Sequence, residues 1–256
     1  MTADRNILVL FLLFLAADLA FVVLHLIFHW NLIPLSLLPA AGPEQQEALL
    51  SMLRLDRDRS YAELFQYIKL GWLILLMGWL TLKRDFLARV GWVLLFVFFL
   101  LDDALGLHEH MGAAMAQNLG LNSVLGLRAQ DIGELAFMGL AAGMILPLIA
   151  LGYWLAAPDQ RMLPRRLFMA MAVLGVCGVG ADMAHQVLPG ELFWVIFEDG
   201  GEMLAVSLAL TVAFQSAFAP DEARAPRGAT IIASQKSAPV GAPTYPKDQK
   251  DGYAPA

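Results

Sequence analysis

The stretch that decides the fold is residues 92–110, which read WVLLFVFFLLDDALGLHEH. Its first ten residues are apolar, and its last nine contain two aspartates, two histidines and a glutamate. Ionisable side chains inside a membrane span are costly, and they are rare unless they are paired, bind a ligand or face water. This combination therefore predicts a membrane helix that ends in a polar functional site.

The composition of the whole chain also indicates a multi-pass membrane protein. Of its 256 residues, 59% are hydrophobic and 16% are charged, whereas soluble domains are about 45–50% apolar and about 25% charged. The net charge of −6 argues against a nucleic-acid partner. Cys177 is the single cysteine, which excludes an intramolecular disulfide and any cysteine-rich metal site.

Six segments of the sequence are suited to span a membrane, since a spanning helix needs about 20 mostly apolar residues. We predict an all-α integral membrane bundle in residues 1–218. Its six transmembrane helices lie at about 7–29, 65–82, 88–108, 131–156, 167–187 and 191–218. Residues 219–256 are rich in Ala, Pro, Gly, Ser and Lys, which predicts a disordered tail. Pro43 and the following EQQEALLSMLRL predict an amphipathic helix in the first loop.

The basic residues of the loops give the expected orientation. They are Lys83, Arg84 and Arg89 after the second span and Arg161, Arg165 and Arg166 after the fourth. The loop after the third span has only Arg128, and the loop after the fifth has none. By the positive-inside rule, both termini and the tail are cytoplasmic. We expect a bacterial inner membrane, with the first, third and fifth loops facing outward.

This orientation places the ionisable residues of several spans at one depth. At a rise of about 1.5 Å per residue, they fall in the outer half of the membrane. The acids of this layer are Asp102, Asp103, Glu109, Glu134, Asp182, Glu198, Asp199 and Glu202. Eight carboxylates cannot all stay ionised in a low dielectric, so the layer requires protonation, cations or water.

Helical spacing places the polar residues of each span on one face. Asp18, His25 and His29 form one stripe on the first span, and Asp103 and His110 share a face on the third. Such a face is expected to point into the bundle. The stripe on the first span also fits ordinary roles, namely a hydrogen bond between helices for the aspartate and an interfacial position for the histidines.

Two further ionisable residues have interpretations that involve no ligand. Asp131 lies at the start of the fourth span, where an aspartate favours the N-cap position. Lys69 either pairs with one of the acids or extends its ammonium group to the interface.

Asp182 and His185 lie three residues apart, which is the spacing of the Glu-x-x-His motif in helix-bundle metal proteins. Single carboxylates from other helices usually complete such a site, and mixed carboxylate and imidazole ligands favour Zn, Fe or Mn. The sequence therefore predicts a divalent metal cofactor. The predicted ligand pool is Asp103, His108, Glu109, Glu134, Asp182, His185, Glu198 and Glu202.

Residues 100–112, LLDDALGLHEHMG, and 197–208, FEDGGEMLAVSL, resemble a pattern in uncharacterised bacterial multi-pass membrane proteins. In that group an acidic pair precedes a His-Glu, and a later span carries a Glu/Asp pair followed by another Glu. The likeness covers two of the six predicted spans. It implies a membrane protein and no particular activity.

These observations favour an integral membrane metalloprotein, an enzyme whose site opens to the outer side and takes a lipid or other apolar substrate. The alternative is a proton- or cation-coupled transporter that uses the same acids and histidines. The inner halves of the spans are apolar, as in MGWLTL at 77–82 and MILPLIALGYW at 144–154, which favours a one-sided site. A haem-binding electron carrier, disfavoured by the many acids, and a structural role in a complex remain open.

Overall fold

The structure is a computed structural model that describes residues 2–34, 42–83 and 86–218. Within these ranges it contains nine α-helices and an isolated β-bridge between Val124 and Leu127. The helices are α1 (Thr2–His29), α2 (Pro43–Ser51), α3 (Tyr61–Lys83), α4 (Phe86–Leu105), α5 (Leu107–Leu119), α6 (Ala129–Leu155), α7 (Met162–Gly175), α8 (Ala181–His185) and α9 (Glu191–Phe218). A 3-10 turn at Pro158–Arg161 precedes α7, and a π-helical turn at Val176–Gly180 joins α7 to α8.

The apolar helices confirm the predicted all-helical class. Five helical segments of the described chain are long and apolar enough to cross a membrane, and α4 with α5 makes a sixth if the bent pair counts as one span. The five are Arg5–His29, Tyr61–Lys83, Ala129–Leu155, Pro158–His185 and Glu191–Phe218. The predicted helix in the first loop is present as α2.

The predicted C-terminal boundary of the third span, 88–108, is wrong. The helix stops at Leu105, and α5 continues at 78° to α4. Gly106 forms the bend with φ +59°, a left-handed conformation that glycine adopts without steric cost. Because the bend separates Asp103 from His110, these residues do not share one helical face as the spacing predicted.

The fifth predicted span, 167–187, is interrupted by the π-helical turn. Gly178 and Cys177 of this turn pack directly against α9, where their neighbours are Glu202 and Gly201. The extra residue of a π-turn rotates the chain that follows it, and such turns are frequent at functional sites. The turn therefore sets the direction of Asp182 and His185 on α8.

α9 packs against α1, α3 and α7, while α4 packs against α3 and α6. One end of the bundle has a continuous apolar core, with Leu73, Met77, Phe96 and Leu167 almost fully buried. The opposite end contains a cavity with a largely acidic lining.

The helices belong to one compact unit, Met1–Ala219. The predicted tail, 219–256, lies outside the described residues, and so does Arg84 of the orientation argument.

Candidate functional site

A cavity of about 1140 Å³ lies between α3, α4, α5, α6, α7, α8 and α9, beside the loop that precedes α3. All eight residues of the predicted ligand pool line it: Asp103, His108, Glu109, Glu134, Asp182, His185, Glu198 and Glu202. Its other lining includes the apolar side chains of Leu70, Phe99, Met138, Leu174 and Val206. The exposed residues Glu109, His110 and Gln186 lie at its mouth.

Further acids join the predicted ones around this cavity. They are Asp56, Asp58, Glu63, Asp102, Glu191 and Asp199. The arginines of the described lining are Arg57, Arg59 and Arg128. Since carboxyl groups greatly outnumber guanidinium groups, those that stay ionised favour a positively charged occupant.

Arg128 is already neutralised by Asp131, because its Nη2 and Nε donate to Asp131 Oδ1 at 2.6 and 3.0 Å. Asp131 also accepts the backbone N–H of Arg128 at 2.7 Å. The predicted N-cap position of Asp131 is wrong, because Arg128 occupies the N-cap of α6 and Asp131 caps the helix from its third position. This carboxylate is 1% exposed and does not line the cavity.

Asp102 fixes His108 across the bend between α4 and α5. Its Oδ1 accepts the backbone N–H of His108 at 2.8 Å, and its Oδ2 lies 3.0 Å from His108 Nδ1. The aspartate is 3% exposed. The bend therefore brings the imidazole to the cavity with its ring orientation set by a buried carboxylate.

The acids and histidine of α8 and α9 form a second group. His185 Nδ1 lies 3.9 Å from Glu198 Oε2, and Asp182 accepts a hydrogen bond from Gln186 Nε2 at 3.4 Å. Glu134, from α6, accepts a hydrogen bond from Gln130 Nε2 at 2.8 Å.

Glu202 lies one helical turn after Glu198 and packs against the π-helical turn. A Cβ atom at Gly178 would overlap Glu202 Oε1, and one at Gly201 would overlap Cys177 Sγ. Glycine at these two positions therefore allows α9 to approach the turn closely and gives the Glu202 carboxylate its place.

Tyr67 joins α3 to the end of α4. Its hydroxyl donates to Glu63 and lies 3.2 Å from the backbone oxygen of Asp103. The tyrosine lines the cavity and was not among the residues predicted for the site.

The loop 52–60 covers one side of the cavity and is fastened to α1. The backbone N–H of Leu55 donates to His25 Nδ1 at 3.1 Å, and Leu55 packs with Ala62 and Val195 in a second apolar cluster. Burial works to raise the pKa of Asp56, but the hydrogen bond and charge of Arg54 outweigh it, so this pKa is lowered.

The stripe predicted on the first span is divided between structural roles. His25 holds the loop 52–60, and His29 is exposed and stacks on His25. Asp18 accepts hydrogen bonds from Lys69 Nζ at 2.8 Å and from Ser207 Oγ at 2.6 Å. None of these residues lines the cavity.

The ammonium group of Lys69 is fully satisfied inside the bundle. Besides Asp18, it donates to the backbone oxygen of Met203 at 2.9 Å and to Ser207 Oγ at 3.1 Å. Its side chain is 0% exposed. Of the two predicted alternatives for Lys69, the structure has the pairing with an acid.

Gln66 is a cavity residue that sequence reasoning missed. It is 6% exposed, and its Oε1 has no hydrogen-bond partner among the described residues. The available signal was an uncharged amide in a span, one turn before the buried Lys69. A buried amide oxygen without a partner is costly, which makes it a position where a ligand gains from donating a hydrogen bond.

The eight predicted ligands surround the cavity and do not converge. In the described part of the chain, no group of three or more His, Cys, Asp or Glu side chains is arranged to hold a metal ion.

The all-helical fold and its apolar helices are compatible with a multi-pass membrane protein. A domain of unknown function, DUF8692, matches residues 7–217, and the chain belongs to this family. No curated protein and no solved structure matches the chain.

Proposed function

We propose that this chain is an integral membrane enzyme that uses a divalent metal ion in the acidic cavity and acts on a lipid or other apolar substrate. The observation that carries this proposal is the lining of the cavity. Acids and histidines from α4, α5, α6, α8 and α9 surround one space that also has an apolar part. The polar part suits a cation, and the apolar part suits a hydrocarbon group.

The pair His185 and Glu198 is the best starting point for a metal site. Two ligands of one tetrahedral metal at about 2.1 Å lie about 3.4 Å apart, and the two side-chain atoms here are 3.9 Å apart. Asp182 follows the π-helical turn on the same short helix as His185. Side-chain rotations would have to bring these three residues to one ion, with Glu134 as the expected complement from α6.

A metal ion held there would activate water for hydrolysis if it is Zn, or support redox chemistry if it is Fe or Mn. The residues beyond the ligands have roles of their own. His108, oriented by Asp102, and the surplus acids Asp103 and Glu202 line the same space and are available to move protons.

The apolar core supports a one-sided site over a carrier. A carrier needs polar groups that reach both faces of the membrane. Below the cavity, the interior is closed by Leu73, Met77, Phe96 and Leu167, all with side chains that are almost fully buried. We place the cavity mouth on the outer side, in accordance with the distribution of basic loop residues.

The test is the metal content of the full chain purified in mild detergent, measured by elemental mass spectrometry. One or two equivalents of Zn, Fe or Mn are expected, and the Asp182→Ala/His185→Ala variant is expected to lose them. The matched control is Glu44→Ala/Glu47→Ala, which removes two exposed acids of α2 outside the cavity.

Equal metal content in all three proteins would contradict the site. Metal-free wild-type protein that elutes as a single folded species would also overturn the enzyme proposal. Proton- or cation-coupled transport by the same acids would then become the leading interpretation.

A further inference from the structure

The neutral amide of Gln66 restricts the chemistry of the ligand more than the acids do. An acidic lining attracts any cation, including a bare metal ion. The Gln66 oxygen, in contrast, is buried without a partner and lies beside the cavity. It selects a ligand that has a hydrogen-bond donor.

The position of Gln66 in depth follows from its neighbours on α3. Lys69 contacts Met203 and Ser207, and Trp79 stacks on Phe218, so α3 and α9 run in the same direction. Gln66 precedes Lys69 by about one turn of about 5.4 Å.

Because of this direction, Gln66 lies at the level of Asp199 and Glu202 on α9. Both of these acids line the cavity. A donor that reaches the amide is therefore beside carboxyl groups as well.

The apolar lining begins at the same level and continues inward. Leu70 lies one turn beyond Gln66 on the same face of α3, and Val206 lies one turn beyond Glu202 on α9. Phe99, Met138 and Leu174 complete this part of the cavity. A ligand that places its charged end beside Gln66 therefore has an apolar environment for the rest of its body.

We infer that the cavity binds a primary ammonium group carried on an apolar body, with an N–H of the ammonium donating to Gln66 Oε1. This inference rests on the proposed function, because it names the substrate class of the same cavity. A primary ammonium has both features that suit this lining. Its positive charge suits the carboxylates, and its N–H groups can donate to the amide oxygen. A quaternary ammonium has the charge without the donor, and an alcohol has the donor without the charge.

The experiment compares ligands of equal length that differ in these features. Binding of octylamine, octyltrimethylammonium and octanol to the full chain in maltoside detergent is measured by isothermal calorimetry. Octylamine is expected to bind about tenfold more tightly than octyltrimethylammonium, the difference typical of one hydrogen bond to a buried acceptor. Octanol is expected to bind more weakly than octylamine because it lacks the charge.

Two variants of Gln66 and one control assign the preference to this residue. Gln66→Met removes the acceptor at similar length and is expected to abolish the preference for the primary amine. Gln66→Glu retains an acceptor oxygen and is expected to keep it. Gln117→Met, at an exposed position of α5 outside the cavity, is the matched control and is expected to keep this preference as well.

Equal affinities of the wild-type protein for octylamine and octyltrimethylammonium would overturn the inference, whatever the variants do. A preference that persists in Gln66→Met would overturn it too. The metal content of the same preparations separates the two proposals. Bound metal without amine preference refutes only the ligand class, and amine preference without metal refutes only the metal-dependent enzyme.

The ammonium has two possible sources, a free amine or the headgroup of an aminophospholipid. Dihexanoyl phosphatidylethanolamine and dihexanoyl phosphatidylcholine form the second matched pair, because they too differ in N–H donors. The acidic lining repels the phosphate of both lipids. We therefore expect the preference for a primary over a quaternary ammonium in the free-amine pair and not in the lipid pair. The same preference in the lipid pair would instead identify the lipid headgroup as the source, and the ammonium class would stand.

Discussion

Lys69 joins three helices through one ammonium group, since its partners lie on α1 and α9 while its own backbone is on α3. Lys69→Met leaves the Asp18 carboxylate buried without a counter-charge. We expect the free energy of unfolding to fall by about 3–5 kcal/mol, as is usual when one partner of a buried pair is removed. Thermal unfolding in detergent measures this loss.

The double variant Asp18→Leu/Lys69→Met separates a charge effect from a packing effect. Removing both charges leaves no uncompensated ion, so this variant is expected to be more stable than Lys69→Met alone. Lys83→Met, at the exposed end of α3, is the control and is expected to change stability little. The pairing interpretation fails if the double variant is the less stable one.

Gly178 gives a way to move one cavity carboxylate without removing it. A Cβ at this position would overlap Glu202 Oε1, which is the flexible end of a side chain, so the carboxylate can turn away. Gly178→Ala is therefore expected to displace Glu202 and change stability by less than about 1 kcal/mol. Labelling of Glu202 by a hydrophobic carbodiimide, followed by mass spectrometry, is expected to be several-fold faster.

Gly175→Ala is the matched control for this substitution, because nothing lies within 4 Å of a Cβ at Gly175. Its labelling rate is expected to equal that of the wild-type protein. If Gly178→Ala also labelled at the wild-type rate, the contact between the π-helical turn and Glu202 would not determine the position of this side chain.

At the scale of helices, the crossing of α5 and α6 depends on two glycines in contact. A Cβ at Gly133 of α6 would overlap the backbone oxygen of Gly112 on α5, and backbone cannot rotate away as a side chain does. Gly133→Ala is expected to separate the helices and to cost about 1–3 kcal/mol of stability. The melting temperature in detergent is the measurement.

Gly139→Ala, two turns along α6, meets nothing within 4 Å and serves as the control. Replacing glycine by alanine in an open helical position favours the helix by about 1 kcal/mol. We therefore expect opposite signs for the two substitutions. A common sign would mean that helix propensity, and not the crossing, determines the effect.

The helices themselves were largely predictable from the sequence. A single apolar segment of spanning length satisfies its backbone hydrogen bonds internally only as a helix. The bend at Gly106 and the π-helical turn at Val176–Gly180 were not predictable. Both depend on contacts with other helices, namely Asp102 capping α5 and Gly178 receiving Glu202. A single sequence contains the glycines but not the neighbours that make these conformations favourable.

The location of the candidate site was predictable for a physical reason of the same kind. Costly acids on separate helices were expected at one depth, and all eight selected residues line one cavity. What depth cannot give is the direction of each side chain. His25 faces the loop 52–60 and Asp18 faces Lys69, although both belong to the same stripe. Gln66 was not predicted because the prediction used ionisable residues, and glutamine is uncharged.

At the scale of the whole molecule, the bundle is divided into a polar end and an apolar end, and we expect the polar end to face outward. The loop between α5 and α6 belongs to the cavity end, because Arg128 lines the cavity. The turn between α6 and α7 lies at the opposite end of α6. These two exposed segments are therefore expected on opposite sides of the membrane.

Labelling of single cysteines tests this arrangement in intact cells. Cys177 is buried, and Cys177→Ser provides a background without thiols. In that background a membrane-impermeant maleimide is expected to label Asn122→Cys and to leave Asp159→Cys unlabelled until the cells are permeabilised. Both positions are exposed, so accessibility within the fold does not limit either reaction. Labelling of Asp159→Cys alone would place the cavity mouth on the cytoplasmic side and would restrict its ligands to cytoplasmic molecules.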